Sequence, residues 1–196
     1  VYPAGIDSWY EQERFIVFSK TLLEYARLLN FKPDIIHCND WETGLVPVFL
    51  DAFYKQLPGY SNIKTIITIH NLRYQGVWEI DAVKQVTGLA DEYFAIDAME
   101  FYGKANLFKG GLVFADMITT VSDTYAEEIK MPYYGEGLDG LMKASEDKLK
   151  GITNGIDYRR YDPSADPAIR PKFSIETFRR NKPKVKTALQ KELGLK

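Results

Sequence analysis

The stretch IITIHNLRYQG, residues 66–76, joins an apolar run to a polar loop that contains a glycine. Its first four residues are all β-branched, and β-branched residues favour a strand. His70 stands where the run ends, and the chain has only one other histidine. The stretch therefore predicts a buried strand that delivers a polar side chain to the loop after it.

Other short apolar segments along the chain follow the same plan. They are DIIHC (34–38), DMITTVS (116–122) and KLKGITNGID (148–157). Segments with helical spacing of apolar residues alternate with them. These lie at 11–30, 41–56, 97–116, 123–130 and 181–193. Strands that alternate with helices predict an α/β fold with a parallel sheet.

The composition excludes several classes of protein. With 196 residues and a net charge of −2, the chain can build one ordinary core and has no basic footprint for nucleic acid or a membrane surface. Its single cysteine excludes an internal disulfide and a multi-cysteine metal site. No apolar run approaches the ~20 residues that span a bilayer. The chain opens on Val1 and not on Met, which we interpret as a piece cut from a longer protein.

Polar residues stand at the ends of the predicted strands. In parallel sheets of this kind, ligands bind beyond the carboxyl ends of the strands. The residues expected along that edge are Asn39, Asp40, His70, Asn71, Ser122, Asn154 and Asp157. Carboxylate, imidazole and amide groups suit the recognition of sugar hydroxyls. The ring of Trp41, beside Asp40, could cover the apolar face of a sugar.

Each of these features also has a purely structural interpretation. Asp40 could instead cap the following helix, and a lone histidine such as His70 is more often structural than catalytic. His37 follows two isoleucines and is expected in or near the core. The KGG at 109–111 lies inside a helical pattern, which favours tight helix packing over phosphate binding. No HExxH or clustered ligand set occurs, so no metal site is predicted. These residues alone do not identify the ligand.

Four segments, taken together, resemble the bacterial glycogen synthase and plant starch synthase family in order and spacing. They are DIIHCNDWETGLVPVFL (34–50), TIITIHNLRYQG (65–76), EFYGKANLFKGGLVFADMITTVSDTYAEEI (100–129) and GITNGIDYRRYDP (151–163). The resemblance implies a Rossmann-like parallel sheet, most of the N-terminal half of a B-type glycosyltransferase fold. Residues 1–178 would form a partial, acceptor-side domain without its first strands. Residues 179–196 would begin the junction to an absent C-terminal domain.

The resemblance also implies an activity. The family transfers glucose from ADP-glucose to the non-reducing end of an α-1,4-glucan with retention, without a metal or other cofactor. It works in the bacterial cytoplasm or the plant plastid, and neither nucleic acid nor a membrane is an expected partner. A lysine-threonine-glycine-glycine-type loop and the C-terminal domain hold the donor, and we find no match to either here. The chain alone is therefore expected to be inactive. The alternatives are a non-catalytic glucan-binding module of the same fold and a sister enzyme that uses UDP-glucose.

Matching positions take their expected roles from the family. His70 corresponds to the histidine that contacts the donor glucose near the reacting centre, where it positions the sugar and stabilises charge. Asp40 and Trp41 match an aspartate-tryptophan pair that lines the glucose and acceptor side of the cleft. His70 and Asp40 are thus the catalytic candidates. The remaining substrate-binding candidates are Asn71, Asn154 beside the donor sugar and Tyr10 on the acceptor side.

Overall fold

A computed structural model describes residues 9–195, and for residues 9–11 it describes the backbone alone. The chain divides into two compact units, and the boundary lies between Thr153 and Asn154. The elements of the first unit are α1 (Trp9–Leu28), β1 (Ile35–Asn39), α2 (Leu45–Phe49), β2 (Lys64–Ile69), β3 (Val77–Trp78), α3 (Ile80–Thr87), β4 (Glu100–Phe101), β5 (Lys104–Asn106), α4 (Leu107–Phe114), β6 (Met117–Thr120), α5 (Asp123–Glu128), α6 (Asp139–Ala144) and β7 (Leu149–Gly151). Those of the second unit are α7 (Tyr158–Tyr161) and α8 (Phe178–Glu192).

The main sheet confirms the predicted α/β fold. Among the described residues, four parallel strands pair in the order β1-β2-β6-β7. Ile67 and Ile69 of β2 and Ile118 of β6 are fully buried, as expected for inner strands covered by helices. All four strands point the same way, so the loops that follow them meet at one edge of the sheet.

The helices predicted over 41–56 and 123–130 are confirmed, and the first of them is irregular. The segment predicted over 41–56 is helical, with a tight turn at Trp41–Thr43, the regular turn of α2 and a wider turn at Leu50–Tyr54. Helix α5 begins after Ser122, whose Oγ accepts a hydrogen bond from the N–H of Tyr125 at 3.0 Å. This satisfies one of the amides that every helix start leaves unpaired.

Glycines let α2 and α4 approach each other closely. A Cβ built on Gly111 would lie 2.7 Å from the carbonyl oxygen of Gly44, and one on Gly44 would lie 2.5 Å from that of Leu107. A Cβ on Gly110 would lie 2.6 Å from the side chain of Met99. The interpretation of KGG at 109–111 as tight helix packing is therefore confirmed.

The prediction of a helix over 97–116 is wrong in its first half. Strands β4 and β5 form a hairpin that β3 extends, and α4 starts only at Leu107. Tyr102 and Gly103 join the two strands, with φ of 50° and 81°. Two successive residues with positive φ are typical of the turns whose twist fits a hairpin. Asn106 then caps α4 by accepting a hydrogen bond from the N–H of Lys109 at 2.9 Å.

The expectation that His37 lies in or near the core is also wrong. Along β1, Ile36 and Cys38 are buried whereas His37 is exposed, because β1 is an edge strand of the described sheet with one open face. The Nε2 of His37 lies 2.6 Å from Oγ1 of Thr68 on the neighbouring strand. Alternation thus turns the two histidines of the chain to different surroundings, one on a sheet face and the other at a strand end.

The second unit is built around α8, which confirms the basic helix predicted over 181–193. Its shorter helix, α7, begins after Asp157, whose carboxylate accepts a hydrogen bond from the N–H of Arg159 at 3.0 Å. Asp157 therefore acts as a helix cap.

Candidate functional site

The loops after β1 and β2 meet through the polar residues that end these strands. Oδ1 of Asp40 accepts a hydrogen bond from the N–H of His70 at 2.8 Å. Nε2 of His70 lies 3.0 Å from Oδ1 of Asn39. The N–H of Asp40 donates to the carbonyl of Thr68 at 3.0 Å, which continues the strand pairing into the loop. The structure thus brings Asn39, Asp40 and His70 together at the carboxyl edge of the sheet.

Asp40 has an unusual backbone, with φ 55° and ψ −169°. This region belongs almost entirely to glycine and costs a residue with a side chain about 1–3 kcal/mol. The side chain makes no capping hydrogen bond to the turn that follows, so the capping interpretation is wrong. Thr43 holds the loop instead: its Oγ1 accepts from the N–H of Asn39 at 2.7 Å and donates to the Asn39 carbonyl at 2.9 Å. With this backbone conformation, the Asp40 carboxylate points towards the end of β2, where it accepts the hydrogen bond from the N–H of His70.

The orientation of the Asn39 amide, whose Oδ1 faces the ring, decides which nitrogen of the neutral His70 ring carries a proton. An amide oxygen can only accept, so Nε2 of His70 must be the donor in that pair. Nδ1 is then left to accept from a hydroxyl when the ring is neutral, or to donate to one when the ring is charged. Because the His70 side chain is exposed, this nitrogen is open to a ligand at the edge.

Trp41 lies beneath the loop and not on its surface. Its side chain is 5% exposed, and its ring packs against Phe15 at 5.0 Å and Trp78 at 5.5 Å between centroids. A Cβ built on Gly76, which has φ +62°, would lie only 2.5 Å from the Trp41 ring. The expectation that this ring covers a sugar is therefore corrected, because its faces are already occupied. In this conformation Trp41 supports the site from below.

The loop after His70 is held by the predicted candidate Asn71 and by Gln75, which the sequence did not single out. Oδ1 of Asn71 accepts from the N–H of Arg73 at 3.1 Å, so this exposed candidate forms a local turn. Gln75 is buried, and its Nε2 donates to the carbonyls of Leu72 at 3.0 Å and Glu136 at 3.1 Å. Its Oε1 accepts from Nδ2 of Asn106 at 2.5 Å. The sequence of a polar loop does not distinguish a buried glutamine from a solvated one, so the role of Gln75 was not predicted.

The other candidates lie elsewhere or outside the described part. Ser122 follows β6, but its hydroxyl is used to cap α5. Asn154 opens the second unit, where its side chain is exposed, and its place beside a donor sugar stays a prediction. Tyr10 belongs to α1 by its backbone, and its side chain lies outside the described residues.

Two titratable groups near the site are occupied structurally. Nζ of Lys109 donates to the carbonyls of Ile96 at 2.6 Å and Glu100 at 2.5 Å, so its charge is aimed at the β4–β5 hairpin and not at the strand ends. Burial lowers the pKa of this ammonium group. Burial raises the pKa of the Cys38 thiol to about 12, against a smaller lowering by its hydrogen bond with Thr43. Neither group is placed to act on a ligand at the edge.

Within the range that the structure describes, no group of three or more histidine, cysteine, aspartate or glutamate side chains is arranged to hold a metal ion. No helix in that same range is long and apolar enough to cross a membrane.

Comparisons with known proteins agree on one family. Residues 1–144 match the family model described as the starch synthase catalytic domain. The chain is 55% identical over 190 residues to a glycogen synthase of Lachnospira eligens, and 56% identical over 183 residues to one of Lachnoclostridium phytofermentans. These alignments cover 96% and 93% of this chain but only 40% and 38% of those relatives.

A solved structure shares the fold along the whole chain. It is the catalytic domain of Starch Synthase IV from Arabidopsis thaliana bound to ADP and acarbose, with a TM-score of 0.78 and 32% identity. The match covers 100% of this chain and 40% of that structure. The chain therefore spans about 40% of the length of the relatives that it matches.

Proposed function

The chain belongs to the starch synthase catalytic domain family, and we propose that it supplies the acceptor-side part of a glycogen or starch synthase. The proposed enzyme transfers glucose from ADP-glucose to the non-reducing end of an α-1,4-glucan with retention. The observation that carries the proposal is the joined Asn39–Asp40–His70 cluster, in which a strained aspartate orients an exposed histidine at the carboxyl edge. The Arabidopsis relative's ligands, ADP and acarbose, support a nucleotide and a glucan-like chain as substrates.

In the proposed step, one bond to the anomeric carbon of glucose breaks and another forms. The bond from that carbon to the terminal phosphate oxygen of ADP breaks, and a bond to the acceptor hydroxyl forms on the same face. The hydroxyl proton passes to the departing phosphate. This scheme needs no metal and no cofactor beyond the donor.

His70 and Asp40 divide the work in this scheme. Nδ1 of His70 meets a hydroxyl of the glucose, and its fixed dipole faces the positive charge that develops at the anomeric carbon. Asp40 keeps the backbone of His70 in place through Oδ1. Its other oxygen accepts from a sugar hydroxyl. Asn71, Asn154 and Tyr10 are proposed to contact the substrates, and Trp41 to support the loop that holds Asp40.

This chain matches only about 40% of its relatives' length, and the remaining 60% or so is proposed to hold the donor nucleotide. We therefore propose that the 196-residue chain alone transfers no glucose and needs a C-terminal nucleotide-sugar-binding domain. ADP-glucose is charged and does not cross a bilayer unaided, so the enzyme must share its compartment. With the bacterial relatives as a guide, that compartment is proposed to be the cytoplasm.

The test compares the two histidines in a version of the protein extended to the length of its relatives. Glucose transfer to maltoheptaose is measured with ADP-glucose and with UDP-glucose. His70→Ala is expected to lower kcat by about 10²–10³-fold, as for the loss of one preorganised electrostatic group. His37→Ala is the matched control and should leave kcat unchanged, since the His37 ring contacts Oγ1 of Thr68 within the sheet and not the residues at the strand ends.

Four results would contradict parts of the proposal. Equal kcat for the two histidine variants would remove the role of His70. A preference for UDP-glucose would point to a sister enzyme, and glucan binding without any transfer would point to a non-catalytic module. Transfer by the 196-residue chain itself would overturn its predicted inactivity.

A further inference from the structure

A second polar cleft opens beside the loop that carries His70. Its volume is about 380 Å³. Its lining residues come from the loop after β2, from α5 and from the turn before α6, and they are Asn71, Arg73, Tyr125, Tyr133, Tyr134 and Glu136. One of them, Asn71, directly follows His70 in the chain.

Hydrogen bonds fix both walls of this cleft. The Gln75 amide donates to the carbonyls of Leu72 and Glu136, which ties the β2 loop to the turn on the opposite wall. The hydroxyl of Tyr125 accepts from the N–H of Leu72 at 3.2 Å, which ties the same loop to α5. Glu136 and Gly137 both have positive φ, of 48° and 81°, so the turn itself is tightly wound. The cleft is thus a preformed feature of the fold and not a gap between loose loops.

Two tyrosine rings stand free at the mouth of the cleft. Tyr133 is 85% exposed and Tyr134 is 42% exposed. Their ring centroids lie 4.8 Å apart at 87°, so the pair presents one ring face and one ring edge. Aromatic side chains with a polar end are favoured where a ligand has both an apolar and a hydrogen-bonding side. A sugar ring is such a ligand.

The charges in the cleft indicate a neutral ligand. Arg73 and Glu136 carry opposite charges, whereas a phosphate site would gather cations. A guanidinium group donates in a fixed fork and a carboxylate accepts at two oxygens, so together with the Asn71 amide they can pair with vicinal hydroxyls. The cleft therefore offers both partners that a polyhydroxylated chain needs, without excess positive charge.

We propose that this cleft is a subsite for a segment of α-linked glucan, beyond the unit that reacts at His70. Tyr133 and Tyr134 stack on the sugar rings, and Arg73 and Glu136 bind their hydroxyls. The subsite makes the enzyme favour long acceptors over short ones. The choice of glucan as ligand rests on the proposed function.

The first experiment titrates the 196-residue chain with maltoheptaose and follows binding by ligand-observed NMR, with folding checked by circular dichroism. The double variant Tyr133→Ala/Tyr134→Ala is expected to bind about tenfold more weakly, because it removes the apolar area that the sugars cover. Tyr133→Phe/Tyr134→Phe keeps both rings and should bind within about twofold of the parent chain. The control is Tyr25→Ala, which removes an exposed tyrosine of α1 outside the cleft and should change nothing.

The same titration contains the results that would overturn the proposal. Unchanged binding by the alanine pair, or no saturable binding by the folded parent chain, would refute the subsite. Competition by inorganic phosphate would show an anion site instead. Both tyrosines are exposed, so their replacement should not unfold the chain, and the phenylalanine pair separates loss of the ring from loss of the hydroxyl.

A second measurement separates this proposal from the proposed function. In the extended enzyme, the alanine pair should raise KM for maltoheptaose more than KM for maltose, whereas His70→Ala lowers kcat for both acceptors. An equal rise in the two KM values would contradict the subsite. An extended protein that binds maltoheptaose through the tyrosines but transfers no glucose would refute the proposed function and leave the subsite standing.

Discussion

Replacing Gly76 by alanine tests the packing beneath the site. Gly76 has φ +62°, and a Cβ there would lie 2.5 Å from Cε3 of Trp41 and 3.1 Å from the Trp78 ring. The left-handed backbone costs an alanine about 1–2 kcal/mol. Forcing a methyl group against buried rings costs about 1–3 kcal/mol more. We expect Gly76→Ala to lower the free energy of unfolding by about 2–5 kcal/mol, a large part of the ~5–15 kcal/mol of an ordinary domain.

Gly88→Ala is the matched control, because it separates the two contributions. Gly88 also has positive φ, +72°, but a Cβ there would meet nothing within 4 Å. Urea unfolding followed by far-UV circular dichroism gives both free energies, and a shared slope shows that the denatured states are alike. Gly76→Ala should cost about 1–3 kcal/mol more than Gly88→Ala. Equal losses would refute the claim that Trp41 fills the space beneath the loop.

Three further predictions concern single side chains. Asp40→Asn should keep most of the stability because an amide oxygen can still accept from His70, whereas Asp40→Ala should lose about 1–3 kcal/mol in urea unfolding; equal losses would contradict the hydrogen bond. Burial acts to raise the pKa of Asp116, but the hydrogen bonds from Lys64 and Thr65 together outweigh it, so the pKa is lowered. The contribution of Asp116 to the free energy of unfolding is thus present above its unfolded pKa of about 4 and is lost as pH falls through the lower folded value. Asp116→Asn should therefore flatten the acid side of a stability–pH curve, and an unchanged curve would refute this. The buried Cys38 thiol, with a pKa of about 12, should resist alkylation at pH 8 until urea unfolds the chain; rapid labelling of the native chain would show the thiol to be accessible.

The sequence predicted the parallel sheet because its signal is local and repeated. Strands β1, β2 and β6 are short segments with β-branched residues, and the helices between them follow the 3.6-residue period. The hairpin around Tyr102 and Gly103 was missed because its apolar residues also fit helical spacing and its turn lacks the usual Asn-Gly or Asp-Gly pair. His37 was misplaced because a run of apolar letters does not show which sheet face is covered.

The site was predictable in position more than in detail. The carboxyl edge followed from topology, and it correctly placed Asp40 and His70 near each other. In their hydrogen bond, the backbone N–H of His70 donates to the Asp40 carboxylate. This contact depends on the strained φ of Asp40, which cannot be predicted from the residue type. The burial of Trp41 and two of the three contacts of Gln75 depend on segments far away in the chain. Such contacts come from tertiary packing and carry no local pattern.

The close approach of α2 and α4 has a consequence for any attempt to evolve this protein in the laboratory. At both Gly44 and Gly111 a side chain would clash with a main-chain carbonyl oxygen. A clash between side chains can be rescued by shrinking the partner, but a peptide group cannot be made smaller. We therefore expect random mutagenesis to find no second-site suppressor for alanine at either position. Libraries should hold both glycines constant and place their diversity on the exposed loops of the carboxyl edge.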